Sequence, residues 1–292
     1  MNLSGAITAM ITPFTDGQLD TDRLREQIEF QIESGIDGLV PAGTTGESPT
    51  LSFPEHERLI AQTIEIARGR VPVIAGTGAN ATAEALELHR FARTAGADAG
   101  LSVNPYYNKP SQEGLYRHFM TLADAVDLPI VLYNVPARTG VNMSPQTVAR
   151  LAQHPNVVAI KEASANVDAV SEIKSLCEIT VLSGDDSLTL PMMAIGAAGV
   201  VSVASNVKPV EIKRMTMFAL RGNFPDAAKL HHELFPLITS LFLDGNPSGV
   251  KYAMKLLGRD SGELRQPLVE ASEPARVAIE QQLEKLALEH AA

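Results

Sequence analysis

The feature that most constrains the fold is an eightfold alternation of short apolar runs with longer segments of helical periodicity. The runs are rich in Val and Ile, which is typical of parallel strands that are buried on both faces. The segments between them repeat apolar residues every three or four positions, as in Leu24, Ile28 and Ile32. The runs cover residues 6–14, 38–46, 71–78, 99–105, 129–136, 157–164, 179–186 and 199–206.

Eight strand–helix units predict an α/β fold, the (β/α)8 TIM barrel, over residues 1–224. Further helices are predicted over 209–220, 225–243, 247–257 and 274–288. The first of these completes the barrel, and the others form a C-terminal helical extension over residues 225–292. Ser144 directly before Pro145 also predicts the start of a helix. An open doubly wound sheet is the alternative, but no GxGxxG motif follows the first run.

Composition and spacing argue against several classes of function. The formal net charge is −10 with no Lys/Arg-rich run, so we expect no nucleic-acid partner. No apolar run approaches the ~20 residues of a membrane span, and the first residues lack the basic segment of a signal peptide. We therefore expect a cytoplasmic protein. Cys177 is expected to be a buried helical thiol, and Asp185 and Asp186 to cap the following helix rather than bind a metal.

Lys161 is the anomaly among the polar residues at the strand ends. It follows the apolar residues 157–160 of a central strand, whereas lysine is rarely buried unless it is paired. A lysine that extends to solvent or pairs with Glu162 is one interpretation. The other is chemical, because burial disfavours the charged form and a neutral amine attacks ketones to form an imine. We interpret Lys161 as a covalent nucleophile for a 2-oxo acid such as pyruvate.

This chemistry needs proton transfer at the same end of the barrel. Tyr133, Tyr107 and Thr44 are the candidates, although tyrosines often pack at barrel rims and threonines are common in strands. Thr44 and Thr45 stand between two glycines. Their hydroxyl groups and amides suit a carboxylate that the backbone approaches closely.

At these positions the chain resembles the dihydrodipicolinate synthase (4-hydroxy-tetrahydrodipicolinate synthase) family of pyruvate-lysine class I lyases, which are related to N-acetylneuraminate lyase. The resemblance runs from residue 4 to about residue 258. It rests on GTTGES (43–48), AGTGAN (75–80), PYYNKPSQEGLY (105–116), YNVPARTG (133–140), IKEAS (160–164) and SGDD (183–186).

The resemblance implies roles for the catalytic candidates. Lys161 would form the imine with pyruvate, Tyr133 would transfer protons, and Thr44 would link Tyr133 to Tyr107. In the family this last tyrosine crosses a subunit interface. The family is typically a homotetramer, a dimer of dimers, so the resemblance implies this assembly as well.

The resemblance also implies the substrates. Thr45 and Val201 match positions that contact pyruvate, and Gly184 is expected to bind substrate as well. Arg138 matches the arginine that holds the carboxylate of L-aspartate-4-semialdehyde, a group that a guanidinium grips with two hydrogen bonds. The implied reaction condenses the two substrates to 4-hydroxy-tetrahydrodipicolinate, the first committed step of lysine and diaminopimelate biosynthesis, without a cofactor.

Two alternatives remain open. One is a retro-aldol lyase of a sugar acid such as N-acetylneuraminate or 2-keto-3-deoxygluconate, which would use the same Lys161 imine but has no need of Arg138. The other is a non-catalytic binding protein on the same fold, since fold does not fix function.

The chain departs from the family in three places. Phe53 stands where lysine-inhibited members often have histidine, and a phenyl ring forms no conventional hydrogen bond, so we expect weak or absent inhibition by lysine. Asn104 replaces a threonine that is common before PYYN, and the segment 246–251 lacks the second proline of NPxPVK. The other positions of the inhibitory lysine site match and are Ser48, His56, Asn80, Glu84 and Tyr106.

Overall fold

The computed structural model describes the backbone of residues 3–289 and the side chains of residues 3–286. Eight parallel strands form one sheet in the order β4-β1-β10-β9-β8-β7-β6-β5. A single parallel bridge from Leu39 to Val73 joins the two ends of the sheet. This arrangement is a nearly closed barrel with helices around it, and it confirms the predicted (β/α)8 fold.

Each predicted apolar run overlaps one barrel strand and is longer than it, although β1 begins one residue before its run, at Gly5. Most surplus residues form the loops at the barrel ends, and many of these residues are buried as well, so they look like strand in the sequence. The barrel strands are β1 (Gly5–Ala9), β4 (Gly38–Val40), β5 (Ile74–Gly76), β6 (Ala99–Val103), β7 (Ile130–Asn134), β8 (Val157–Glu162), β9 (Thr180–Ser183) and β10 (Gly199–Ser202). A hairpin of β2 (Phe14–Thr15) and β3 (Gln18–Leu19) was not predicted.

The helices agree with the predicted periodicity. Ser144 accepts a hydrogen bond from the Thr147 backbone N–H and caps the helix that begins at Pro145, as predicted. The helices are α1 (Thr21–Glu33), α2 (Phe53–Ala67), α3 (Thr82–Ala95), α4 (Gln112–Ala125), α5 (Pro136–Thr139), α6 (Pro145–Leu151), α7 (Asp168–Leu176), α8 (Thr189–Ala194), α9 (Pro209–Leu220), α10 (Phe224–Leu241), α11 (Ser248–Leu256) and α12 (Glu273–Glu289).

The last three helices follow the barrel. Helix α9 packs on β1 as the eighth barrel helix, and α10 packs on both α9 and α12. The predicted division into a barrel (1–224) and a helical extension (225–292) stays a proposal. Residues 1–2 of the barrel and residues 290–292 of the extension lie outside the described residues. Within the described chain, no helix is both long enough and apolar enough to cross a membrane.

The structure corrects the prediction for Cys177. This residue follows the end of α7 instead of lying within the helix, and it is only partly buried. The apolar pattern of residues 173–177 continued past the helix because the chain still runs along the core after it leaves helical geometry.

Candidate active site

Lys161 and Tyr133 form the centre of the candidate site. They are partners in the parallel register of β8 and β7, so their side chains leave the sheet on the same face. The Nζ atom of Lys161 lies 4.2 Å from the centroid of the Tyr133 ring. Both side chains are buried, with Lys161 only 5% exposed. A lysine amine held against an aromatic ring at the carboxyl end of a barrel strand is placed where such folds carry their chemistry.

Glu162 is not the partner of Lys161. It lies on the opposite face of β8, where its Oε2 accepts a hydrogen bond from Asn134 Nδ2 at 3.0 Å. Asn134 Oδ1 in turn accepts from Asn104 Nδ2 at 3.0 Å, which gives the unusual Asn104 a structural role. Burial raises the pKa of Glu162, and hydrogen bonds from Ser164 and Asn134 oppose that rise. The interpretation of Lys161 as half of an ion pair with Glu162 is therefore wrong.

Gly184 leaves the space that Lys161 occupies. A Cβ atom at this position would lie 3.0 Å from Lys161 Cε and 2.5 Å from Ala163 Cβ. Real Cβ atoms essentially never show the shorter of these distances. The glycine after β9 is thus required by packing against Ala163 and Lys161, and its predicted role in substrate binding stays a prediction.

The two aspartates after β9 do not cap the following helix, contrary to expectation. Asp185 Oδ2 accepts from the Ala165 backbone N–H at 3.2 Å, and Asp186 Oδ2 accepts from the Val203 backbone N–H at 2.8 Å. Burial raises the pKa of both carboxyl groups, and the charge of Lys161 opposes that rise. Asp186 thereby fixes the turn after β10. Asp185 ties the segment after β8 to the barrel rim.

The loop after β4 carries the two adjacent threonines. Thr44 lines a cavity beside the barrel mouth, and Thr45 is buried. The loop reaches this position because Gly76 has no side chain, since a Cβ there would lie 2.0 Å from the Ala42 carbonyl oxygen. The AGTGAN motif therefore serves close backbone packing beneath the threonine loop.

Arg138 lies on the short helix α5, directly after β7. Its Nη2 donates to the backbone oxygen of Asn246 at 3.2 Å. Arg138 and Thr44 line the same cavity of about 340 Å³. The guanidinium is thus held at the edge of a volume that a small carboxylate could enter.

Asn246 belongs to the site, and the sequence did not single out its role. Its Nδ2 donates to Thr45 Oγ1 at 2.9 Å, so one residue contacts both Thr45 and Arg138. The peptide bond from Asn246 to Pro247 is cis. The only signal in the sequence was the Asn-Pro dipeptide of a variant family motif.

The missing second proline of that motif has a structural reason. Gly249 stands in its place, and a Cβ atom there would lie 2.2 Å from the Leu241 carbonyl oxygen. Helices α10 and α11 therefore approach each other too closely for any side chain at this position.

Two further predicted residues differ in their burial. Val201 is buried on β10, next to Ser202. Tyr107 is 90% exposed and has a left-handed backbone with φ of 74°. Within a single chain, Tyr107 is not part of the buried group around Lys161.

Four of the five residues matched to an inhibitory lysine site line the same cavity as Arg138. They are Ser48, His56, Glu84 and Tyr106. The fifth, Asn80, lies beside them, and its backbone oxygen accepts from Asn108 Nδ2 at 2.9 Å. Burial lowers the pKa of His56, and burial together with the charge of Glu84 raises the pKa of Tyr106. Phe53, Leu51 and Pro49 add an apolar part to the wall of this cavity.

Comparison with known proteins decides the family. A model described as the dihydrodipicolinate synthetase family matches residues 2–286. The chain belongs to this family. The 4-hydroxy-tetrahydrodipicolinate synthase of Pelobacter propionicus is 52% identical over 277 residues, which are 94% of this chain and 96% of that protein. The family predicted from the sequence motifs is therefore confirmed.

Solved structures of the family have the same fold. A dihydrodipicolinate synthase from Aquifex aeolicus superposes with a TM-score of 0.97 at 48% identity, covering 98% of this chain and 99% of that one. A dihydrodipicolinate synthase from Cyanidioschyzon merolae, solved with lysine bound, superposes with a TM-score of 0.95 at 39% identity and covers 98% of each chain. The match extends through the C-terminal helices, which are thus part of the family fold.

Proposed function

We propose that the chain is a 4-hydroxy-tetrahydrodipicolinate synthase, which condenses pyruvate with L-aspartate-4-semialdehyde. The observation that carries this proposal is the buried amine of Lys161, 5% exposed and 4.2 Å from the Tyr133 ring, in a chain whose relatives bear that name. Members of this family are lyases of the class I aldolase type, in which the imine formed by a lysine acts as the electron sink.

Lys161 is assigned the covalent steps. Its neutral amine attacks C2 of pyruvate, and loss of the former carbonyl oxygen as water leaves an imine. Removal of a proton from C3 then gives an enamine, which forms a carbon–carbon bond to the aldehyde carbon of the second substrate. The amino group of that substrate finally attacks C2, closes the ring and releases Lys161. We assign the proton transfers to Tyr133, connected through Thr44 to Tyr107.

The substrate carboxylates are assigned to two separate groups. Thr45 and its neighbouring backbone amides, together with Val201 and Gly184, would hold pyruvate against Lys161. Arg138 would hold the carboxylate of the semialdehyde, because it lines the cavity beside the barrel mouth and its Nη2 is already oriented by Asn246.

The test measures turnover and imine formation separately. We expect robust consumption of pyruvate plus L-aspartate-4-semialdehyde, coupled to the next reductase and followed as loss of NADPH. Borohydride reduction with pyruvate alone should add the reduced adduct to Lys161. The variant Arg138→Ala should still trap pyruvate but lose condensation, and an equal loss of both would refute its role. Trapping without turnover in the wild type would instead favour cleavage of a sugar acid.

We also propose a cytoplasmic homotetramer in which Tyr107 completes the site of a neighbouring subunit. The exposed ring of Tyr107 supports this assignment, since a tyrosine that is 90% exposed in the single chain lies outside the buried group around Lys161 and can contact a neighbouring subunit. Mixed oligomers of Tyr107→Phe and Lys161→Ala subunits should regain part of the wild-type activity. Proven mixed oligomers without recovery would count against a shared tyrosine.

The cavity lined by Ser48, His56, Glu84 and Tyr106, with Asn80 beside it, is proposed as a site of weak lysine binding. The relative from Cyanidioschyzon merolae was solved with lysine bound, which supports the ligand. The apolar wall that includes Phe53 supports the weakness, because it offers no hydrogen bond to an ammonium group.

A further inference from the structure

A lysine–glutamate pair with no exposed surface lies beneath the threonine loop. The side chains of Lys251 on α11 and Glu47 after β4 are both 0% exposed, and Nζ lies 2.6 Å from Oε1. The second oxygen of Glu47 accepts from the Arg265 backbone N–H at 3.1 Å. Lys251 also donates to the Glu263 carbonyl and lies 4.5 Å from the centroid of the Phe14 ring. The pair is therefore enclosed on all sides by the barrel and the C-terminal segment.

Such a pair contributes little to stability for its size. Desolvation of the two charges offsets their attraction, and apolar replacements of similar volume are often neutral or stabilising. What a buried pair does provide is a fixed distance between two elements, here α11 and the loop after β4. Glu47 also has a left-handed backbone with φ of 56°, which a non-glycine residue adopts rarely and only where its surroundings hold it.

The position that the pair fixes is that of the two threonines in the loop after β4. The Glu47 backbone N–H donates to the Thr44 carbonyl at 3.1 Å, so the two residues move together. Thr45 is held from the same C-terminal segment, because Asn246, five residues before Lys251, donates to its hydroxyl. Two contacts from one segment thus hold a loop that lies about 200 residues earlier in the chain, at separations of 201 and 204 residues.

We propose that Lys251 and Glu47 are a positioning pair, which holds Thr44 and Thr45 in the geometry that the pyruvate adduct on Lys161 requires. The helical extension then contributes to the active site by holding the threonine loop in place. This inference rests on the proposed function and deepens it, since it names the residues that set the loop. Neither residue touches the substrate.

The decisive variant removes both charges at once. The double variant Glu47→Leu with Lys251→Met should fold and melt within a few degrees of the wild type, because no unpaired charge stays buried and only the Arg265 backbone N–H and the Glu263 carbonyl lose a partner. Its kcat/KM should nevertheless fall by roughly 100-fold, the effect of a displacement of about 1 Å at a catalytic group. Borohydride trapping at Lys161 should also need more pyruvate for half-maximal rate. A double variant with wild-type melting and kcat/KM within about threefold of wild type would overturn the proposal.

Two further variants keep the test informative. Glu47→Gln retains the shape of the side chain and one acceptor oxygen, so it provides the test if the double variant does not fold. Its kcat/KM should fall about tenfold. Wild-type kinetics for Glu47→Gln would refute the proposal. Lys213→Met is the control, since it breaks the Lys213–Asp37 ion pair at the amino end of the barrel and should lower the melting temperature alone. If the wild-type protein traps pyruvate but does not turn over, L-aspartate-4-semialdehyde is not its second substrate and the proposed function fails. The comparison of pyruvate trapping between the wild type and the variants would still test whether Lys251 and Glu47 position the loop.

Discussion

At the scale of single residues, the site depends as much on an absent side chain as on the groups present. Gly184 is the clearest case, because its Cβ position is blocked by both Lys161 and Ala163. An added methyl group there would push the lysine away from Tyr133 or displace β9 from β8. Either movement alters the approach of the amine to a bound ketone, which catalysis tolerates poorly.

We therefore expect Gly184→Ala to slow borohydride trapping of pyruvate at Lys161 by about 10- to 100-fold. The double variant with Ala163→Gly should recover part of the rate, because it removes the atom that the new Cβ would meet at 2.5 Å. Gly114→Ala on α4 is the matched control, since its nearest neighbour, Pro110 Cβ, is 3.1 Å away and lies outside the site. Wild-type trapping by Gly184→Ala would show that this packing does not position Lys161.

The sequence identified residues whose chemistry is unusual for their place, and it missed residues that act through long-range contacts. Lys161 stood out because an apolar strand should not contain a lysine. Lys251 is also buried, but it lies in a helix, where lysine is a common residue. Its burial could not be predicted without knowledge of its partner. That partner, Glu47, is 204 residues away, and one sequence carries no record of such a contact.

At the scale of elements, strand and helix positions were predicted well because burial periodicity is local. Strand ends were placed too late, since the first residues after β4 (41–42) and the residues after β10 (203–206) are buried like strands. The hairpin of β2 and β3 was missed because strands of two residues leave no periodic signal. The two aspartates after β9 were expected to cap the next helix, but their partners come from segments that only the barrel brings together.

The start of α2 carries the residue from which we predict the response to lysine. Phe53 is the first residue of that helix and part of the cavity wall, close to His56 on the next turn. We expect inhibition of the wild type by lysine to be weak, and Phe53→His to lower the half-inhibitory lysine concentration roughly tenfold through one added hydrogen bond to ligand. Initial rates over a lysine titration measure both. Phe53→Leu is the control and should stay insensitive. Potent inhibition of the wild type would show the assignment wrong.

At the scale of the whole molecule, two buried histidines link stability to pH. Burial lowers the pKa of His89 and of His118 to about 4, from an ordinary value of 6.5. His89 lies on α3 and His118 on α4, and both side chains are buried. Between pH 6.5 and 4 the unfolded chain binds more protons than the folded one, so stability is complete above pH 6.5 and falls as the pH drops toward 4.

Each histidine should account for a loss on the order of 3 kcal/mol across that range, at about 1.36 kcal/mol per pKa unit. His118→Gln removes one titrating group, so its free energy of unfolding should depend less steeply on pH between 6.5 and 4, whatever its absolute stability. His232→Gln is the matched control, because His232 is exposed on α10. Denaturant unfolding at a series of pH values measures the slope. If His118→Gln kept the wild-type slope while folding normally, protonation of a buried imidazole on α4 would not be what destabilises the barrel in acid.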